Sequence, residues 1–190
     1  MLTQRIIGAF TFRKGVYEEV EQDADFTRTA WLIVIVVAFL DQLGSFATGN
    51  IARWFGGAIL ATIMAVIGFA VAVAIVSWVG RSVYKADVTF DELVRTLGLA
   101  YVWRVVGFLG VLTAPFGFLN CLVAPLYVLA FILGLVAWFV AAKEALDLEW
   151  GPTIITVVLG WLAFLVIMLI TGAVLGLLGF TGSLIGAAFG

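Results

Sequence analysis

The chain has 190 residues, 64% of them hydrophobic and 12% charged, with a net charge of −2. A soluble domain carries about a quarter charged residues, so this composition excludes one, and the acidic balance argues against a nucleic-acid surface. There is no histidine and only one cysteine, Cys121. The commonest metal ligand, the usual general base, an internal disulfide and a cysteine-cluster metal site are therefore all absent.

Residues 1–29 are polar and charged, which does not fit a cleavable signal peptide. Leu2, Ile6, Ile7 and Phe10 share one helical face, and Phe12, Val16, Tyr17 and Val20 continue the spacing. This pattern predicts an amphipathic helix on the inner leaflet, with Arg5, Arg13 and Lys14 meeting anionic headgroups. The acidic run Glu18, Glu19, Glu21, Asp23 and Asp25 is expected to face water.

Five apolar segments follow, each long enough to cross a bilayer, which takes about 20 helical residues. They are read at 30–48, 57–80, 96–113, 122–142 and from Gly151-Pro152 to about 178. Thr89 is the expected N-cap of a short helical lead-in, residues 90–94, to the third segment. Pro115 and Gly117 break the third from the fourth, and Pro125 is placed in the first turn of the fourth, where proline is tolerated. The fourth ends before Lys143 and Glu144, read as a solvated helix end. The tail, residues 179–190, is apolar and glycine-rich, short for a sixth crossing, and is placed at the outer surface. The predicted architecture is an all-α polytopic membrane bundle: a lead-in (1–29), a five-helix region (30–178) and the tail.

Orientation follows from lysine and arginine in the short loops. Arg5, Arg13, Lys14, Arg28, Arg81, Lys85, Arg95 and Lys143 fall on one side and only Arg53 on the other, eight against one. The N-terminus is therefore expected in the cytoplasm and the C-terminus outside, in the cytoplasmic membrane. Trp31, Trp78 and Trp150 stand at expected inner boundaries and Trp54 at an outer one.

Two charges lie inside the apolar segments. Counting about 1.5 Å per residue from Ala30 and from Thr96 puts Asp41 about 16 Å deep and Arg104 about 12 Å deep. A structural ion pair between the first and third segments is the plain expectation; a substrate or proton site, or a contact with another subunit, is the alternative. Small residues form stripes: Ala61, Ala65, Gly68 and Ala72 in the second segment, Gly172 and Gly176 in the fifth, and Gly182, Gly186 and Gly190 in the tail. Such stripes allow close helix approach, first of all inside the bundle, alternatively against a partner or a second copy. Cys121 has no base nearby, and no catalytic set, phosphate loop or metal cluster is readable. No cofactor is expected.

Several strings resemble the Yip domain family of integral membrane proteins, in its prokaryotic-type branch. IIGAFTFRKGVYEEVEQDADFTRTAWLIVIVVA is similar to that branch's lead-in and first helix. FDELVRTLGLAYVWRVVGFLGVL is similar to its third helix, including Phe90, Leu93, Arg95, Thr96, Gly98 and Ala100. AWFVAAKEALDLEWGPTIITVVLGW is similar to the end of its fourth helix and the start of its fifth, with the KEAL string, residues 143–146, the most specific part. The resemblance implies five membrane helices with a cytoplasmic N-terminus, in agreement with the loop charges. In eukaryotic members it implies binding of Rab-type GTPases, resting partly on a DLYGP string and a Gly-Tyr pair. This chain lacks the first and has Gly98-Leu99 in place of the second, so Rab binding is not expected. The resemblance passes no catalytic role to any residue. The expected function is that of a non-catalytic membrane organiser or accessory subunit, in contact with lipid and with other membrane subunits or itself; a small channel or transporter using Asp41 and Arg104 is the alternative.

Overall fold

The computed structural model describes residues 2–47 and 50–178. Among these the regular structure is all helical, and five stretches are long and apolar enough to cross a membrane: Phe26–Ser45, Ile51–Val83, Phe90–Thr113, Gly117–Leu146 and Trp150–Leu177. The tail, with Gly182, Gly186 and Gly190, lies outside the described residues.

Two short helices lead in, α1 (Leu2–Phe10) and α2 (Val16–Glu21). The expected amphipathic spacing is present but divided. Phe12 takes a left-handed conformation (φ 51°), as does Gly15 (φ 78°), and the chain turns between the two helices. Glycine adopts that conformation freely; for a bulky residue such as phenylalanine it is rare and needs support from outside. Two contacts support it here: the Arg13 amide donates to the Gly8 carbonyl at 2.8 Å, closing the end of α1, and Phe12 stacks on Trp103 with centroids 5.8 Å apart. Val16, Tyr17 and Val20 are buried and share one hydrophobic core with the long helices. Burial raises the Tyr17 hydroxyl pKa above its ordinary value.

The first span is α3 (Phe26–Ser45), closed by the Trp54 indole, whose Nε1 donates to the Leu43 carbonyl at 2.8 Å. The second is α4 (Ile51–Val83), capped by Asn50, which accepts from the Arg53 amide at 3.0 Å. The third is composite: α5 (Phe90–Ala100), a 3₁₀ stretch (Tyr101–Leu109) and α6 (Gly110–Thr113). Thr89 caps α5 as expected, in a reciprocal box: its hydroxyl accepts from the Glu92 amide, and the Glu92 carboxylate accepts from the Thr89 amide at 2.6 Å.

The fourth span opens with a 3₁₀ turn (Gly117–Leu119) and continues as α7 (Asn120–Leu146). Two boundary expectations are corrected here. Pro125 lies in the second turn of α7, not the first, because the helix begins earlier, at Asn120. Lys143 and Glu144 do not follow the helix but lie within its last turn. Ala145 and Leu146 are buried and hold that turn in place, and Asp147 ends it in a left-handed cap (φ 49°). The fifth span is α8 (Trp150–Leu177).

Helices α4 and α8 share the broadest interface of the bundle. Small residues explain it. Ala61, Ala65, Gly68 and Ala72 are buried, Gly68 lies against Phe164 of α8, and Gly160 of α8 lies against Val76 and the Ala72 backbone. Where the surrounding solvent is lipid, close backbone approach and van der Waals packing take over from the hydrophobic effect. The stripe in the second span is thus internal packing.

Candidate functional site

The third span changes helix type where its charge lies. A 3₁₀ helix makes three residues per turn with a rise of about 2.0 Å, and runs beyond three or four residues are uncommon. This one covers nine. Arg104, Gly107 and Gly110 recur at intervals of three and so fall on one row facing α3. On an α-helix, Arg104 and Gly110 would lie about a third of a turn apart. The greater rise also carries Arg104 deeper, to about 14 Å from Thr96 and nearer the level of Asp41.

The row meets α3 at close quarters. Arg104 Nε and Nη2 both donate to Asp41 Oδ2, at 3.1 and 2.8 Å. One helical turn on, a side chain at Gly107 would occupy the space of the Asp41 carboxylate, and one at Gly110 would run into the Gly44 backbone. Around Asp41, the Ser45 hydroxyl donates to its carbonyl at 3.1 Å, and the buried Gln42 amide reaches Oδ2 at 3.5 Å. The Arg104 guanidinium stands over the rings of Tyr101 and Phe164, 5.5 and 5.4 Å from their centroids. Aromatic faces favour a cation, the more so away from water.

The pair is not sealed. A cavity of about 180 Å³ borders it between the 3₁₀ stretch, α7 and α8, with Tyr101, Trp103, Trp138, Trp161 and Phe164 in its wall. A second, of about 340 Å³, lies toward Gly44, Ser45, Gly110 and Thr113. Asp41, Gly107 and Tyr127 line both. Among the described residues, the buried Tyr101 hydroxyl and Trp103 Nε1 have no hydrogen-bond partner.

The sequence thus identified both charges of this site but not the three glycines that let them meet. Gly107 and Gly110 carried a signal, a spacing of three shared with Arg104, and Gly44 the same spacing from Asp41, but such spacings are also common on ordinary helices.

The other candidate residues lie apart from it. Arg5 pairs with Asp23 at 2.7 Å, which lowers the Asp23 pKa through that hydrogen bond, and Arg13 pairs with Glu19 at 2.5 Å; Lys14 is exposed. Gly172 faces open space with nothing within 4 Å of a side chain placed there, and Gly176 is partly exposed. The fifth-span stripe, unlike that of the second, has one of its two glycines unpacked. Arg95, counted as a loop charge from sequence, is buried. Its Nε and Nη2 donate to the Glu21 carbonyl at 2.9 and 2.5 Å, and Nη1 donates to the Thr27 hydroxyl at 3.1 Å. It therefore closes the C-terminal end of α2 and ties the lead-in to α5. The Glu21 carboxyl beside it is pushed up to about 7 by burial and by Asp147, Glu92 and Glu144, against the pull of Arg95.

The model of the Yip1 domain matches residues 7–172. The chain belongs to the Yip1 domain family. The match runs from α1 into α8 and so takes in the lead-in and the Asp41–Arg104 crossing together. No curated protein and no solved structure matches the chain. Membership of the Yip1 domain family, with five spans of membrane-crossing length, makes this an integral membrane protein.

Proposed function

We propose that this Yip1 domain protein is a non-catalytic organiser or accessory subunit of the cytoplasmic membrane, with its N-terminus in the cytoplasm and its C-terminus outside. It acts through helix–helix and headgroup contacts with lipid and with other membrane subunits or a second copy of itself. The observation that carries the reading is the free face of α8. Gly172 has open space before it, and Leu169 beside it is 72% exposed. A glycine on a lipid-facing surface adds little to its own bundle but allows another helix to come close. The distribution of basic residues, seven to one once the buried Arg95 is set aside, supports the orientation. The test is purification in mild detergent with mass spectrometry of what travels along, for the wild type and for Gly172→Leu with Gly176→Leu. Loss of a reproducible companion from a folded variant supports the reading; an unchanged set of companions, or none in the wild type, overturns it.

A second reading, a small channel or transporter using Asp41 and Arg104, is favoured by one observation: Asp41 lines cavities on both sides of the pair. It requires that Asp41→Asn or Arg104→Gln abolish an ion or solute flux in liposomes while leaving the chain folded.

A further inference from the structure

The cavity beside Arg104 differs in chemistry from the lipid-facing surface around it. Its wall combines three of the chain's seven tryptophans, Trp103, Trp138 and Trp161, with Tyr101 and the Arg104–Asp41 pair. The hydrogen-bonding capacity left over is mostly donor. Arg104 has five N–H groups, and two are committed to Asp41. Trp103 Nε1 is a donor without a partner, and the Tyr101 hydroxyl is unpartnered as well.

Charge narrows the occupant. An anion would have to approach the Asp41 carboxylate, which lines the same cavity and already neutralises Arg104. A cation would meet Arg104, whose guanidinium already stands over the rings of Tyr101 and Phe164. An uncharged molecule offering acceptors meets neither obstacle. Size narrows it further: about 180 Å³ admits a ring-sized head and excludes a two-chain lipid. Ring-lined walls favour a head that is itself a flat ring, since aromatic pairs, offset-stacked or edge-to-face, gain beyond the area they bury. Pockets of this make-up, apolar and aromatic with a few convergent polar groups, are the usual form of a small-molecule site.

We propose that this cavity binds a planar, uncharged, lipid-soluble carbonyl compound of the quinone type, its carbonyl oxygen accepting from the free N–H groups of Arg104. The ligand reaches the site laterally from the bilayer, on the side of Phe131, which lines the cavity and is 54% exposed.

The test uses the full chain in nanodiscs, titrated with decylubiquinone while tryptophan fluorescence is followed. Three indoles in the wall make a bound quinone a strong quencher. The expected result is saturable quenching. Ala130→Leu, which fills the cavity from α7, should weaken half-saturation tenfold or more, and Trp78→Phe, remote from the cavity, should leave it unchanged. If Ala130→Leu does not yield folded protein, Trp103→Phe, which removes the donor and keeps a ring, takes its place with an expected loss of several-fold. Quenching that rises linearly with quinone, as partition into lipid alone gives, overturns the proposal. So does saturation that the cavity variant leaves untouched, or displacement of the quinone by decanoate at equal strength, which would make the site one for anions.

Discussion

Arg104 holds Asp41 through a single carboxylate oxygen, Oδ2, while Oδ1 fills the place that a side chain at Gly107 would take. The ion pair and the close helix crossing are therefore one device. The pair needs the backbones of α3 and the third span near each other, and the glycines make that possible. The 3₁₀ stretch serves the same end, aligning Arg104, Gly107 and Gly110 along one face.

The pair is expected to behave as a coupled unit. Asp41→Asn and Arg104→Gln each strand a charge in an apolar setting. A fully buried pair broken this way loses about 3–5 kcal/mol. Thermal unfolding in detergent should show both single variants destabilised and the double variant recovering part of the loss. Strictly additive losses would mean that the two charges contribute separately.

The glycines give a sharper test, since no charge changes. Gly107→Ala places a methyl group in the space of the Asp41 carboxylate, and Gly110→Ala one against the Gly44 backbone. Overpacking of this kind costs about 1–3 kcal/mol, and a backbone neighbour cannot rotate away. Gly172→Ala, facing open space, is the matched control and should be neutral in the same melting experiment. Equal effects at all three positions would remove the argument for a tight crossing.

How far this was readable from the residues depended on the kind of signal. Hydropathy placed all five spans because twenty apolar residues in a row have few other uses. The Thr89 cap was readable because a cap is a local hydrogen bond with its own residue preference; its reciprocal partner Glu92 was not read. Depth counting brought Asp41 and Arg104 to similar levels. The 3₁₀ stretch was not readable: its residues, Tyr101 to Leu109, suit an α-helix as well, and the preference for the tighter winding arises only from what α3 presents. The turn at Phe12 was hidden because phenylalanine is not a residue that marks a left-handed helix end, and because part of its support is Trp103, ninety-one positions later. Arg95 was misjudged because a charge beside a span counts as a loop charge until its partners are known.

Arg95 is expected to control the docking of the lead-in. Charge-assisted hydrogen bonds contribute about 1.5–3 kcal/mol, and Arg95 makes two to the Glu21 carbonyl. Arg95→Ala should raise hydrogen exchange across residues 2–21 while leaving α4 and α8 protected. Arg95→Lys keeps the charge but loses the planar fork, so it should restore little. Full protection of α1 and α2 in Arg95→Ala would show that Val16, Tyr17 and Val20 hold the lead-in by packing alone.

The last expectation concerns pH. Glu21 binds its proton more tightly in the folded chain, near 7, than its ordinary value of 4.5. Between those values the folded state carries more protons than the unfolded one, so stability falls as pH rises through the window and levels off above it. Asp23 acts in the opposite sense. Its pKa is lowered by Arg5, so its contribution is present above its ordinary value of 3.8 and is lost in more acidic solution. The carboxylates of Glu92, Glu144 and Asp147 oppose ionisation of Glu21, and Arg95 favours it. Melting temperatures in detergent at about pH 5 and about pH 7.5 should therefore differ in the wild type, with the lower pH the more stable. Glu21→Gln, which removes the titrating group and keeps its shape, should flatten that difference. If the variant keeps the full slope, the pH dependence belongs to other groups and Glu21 ionises without cost beside Arg95.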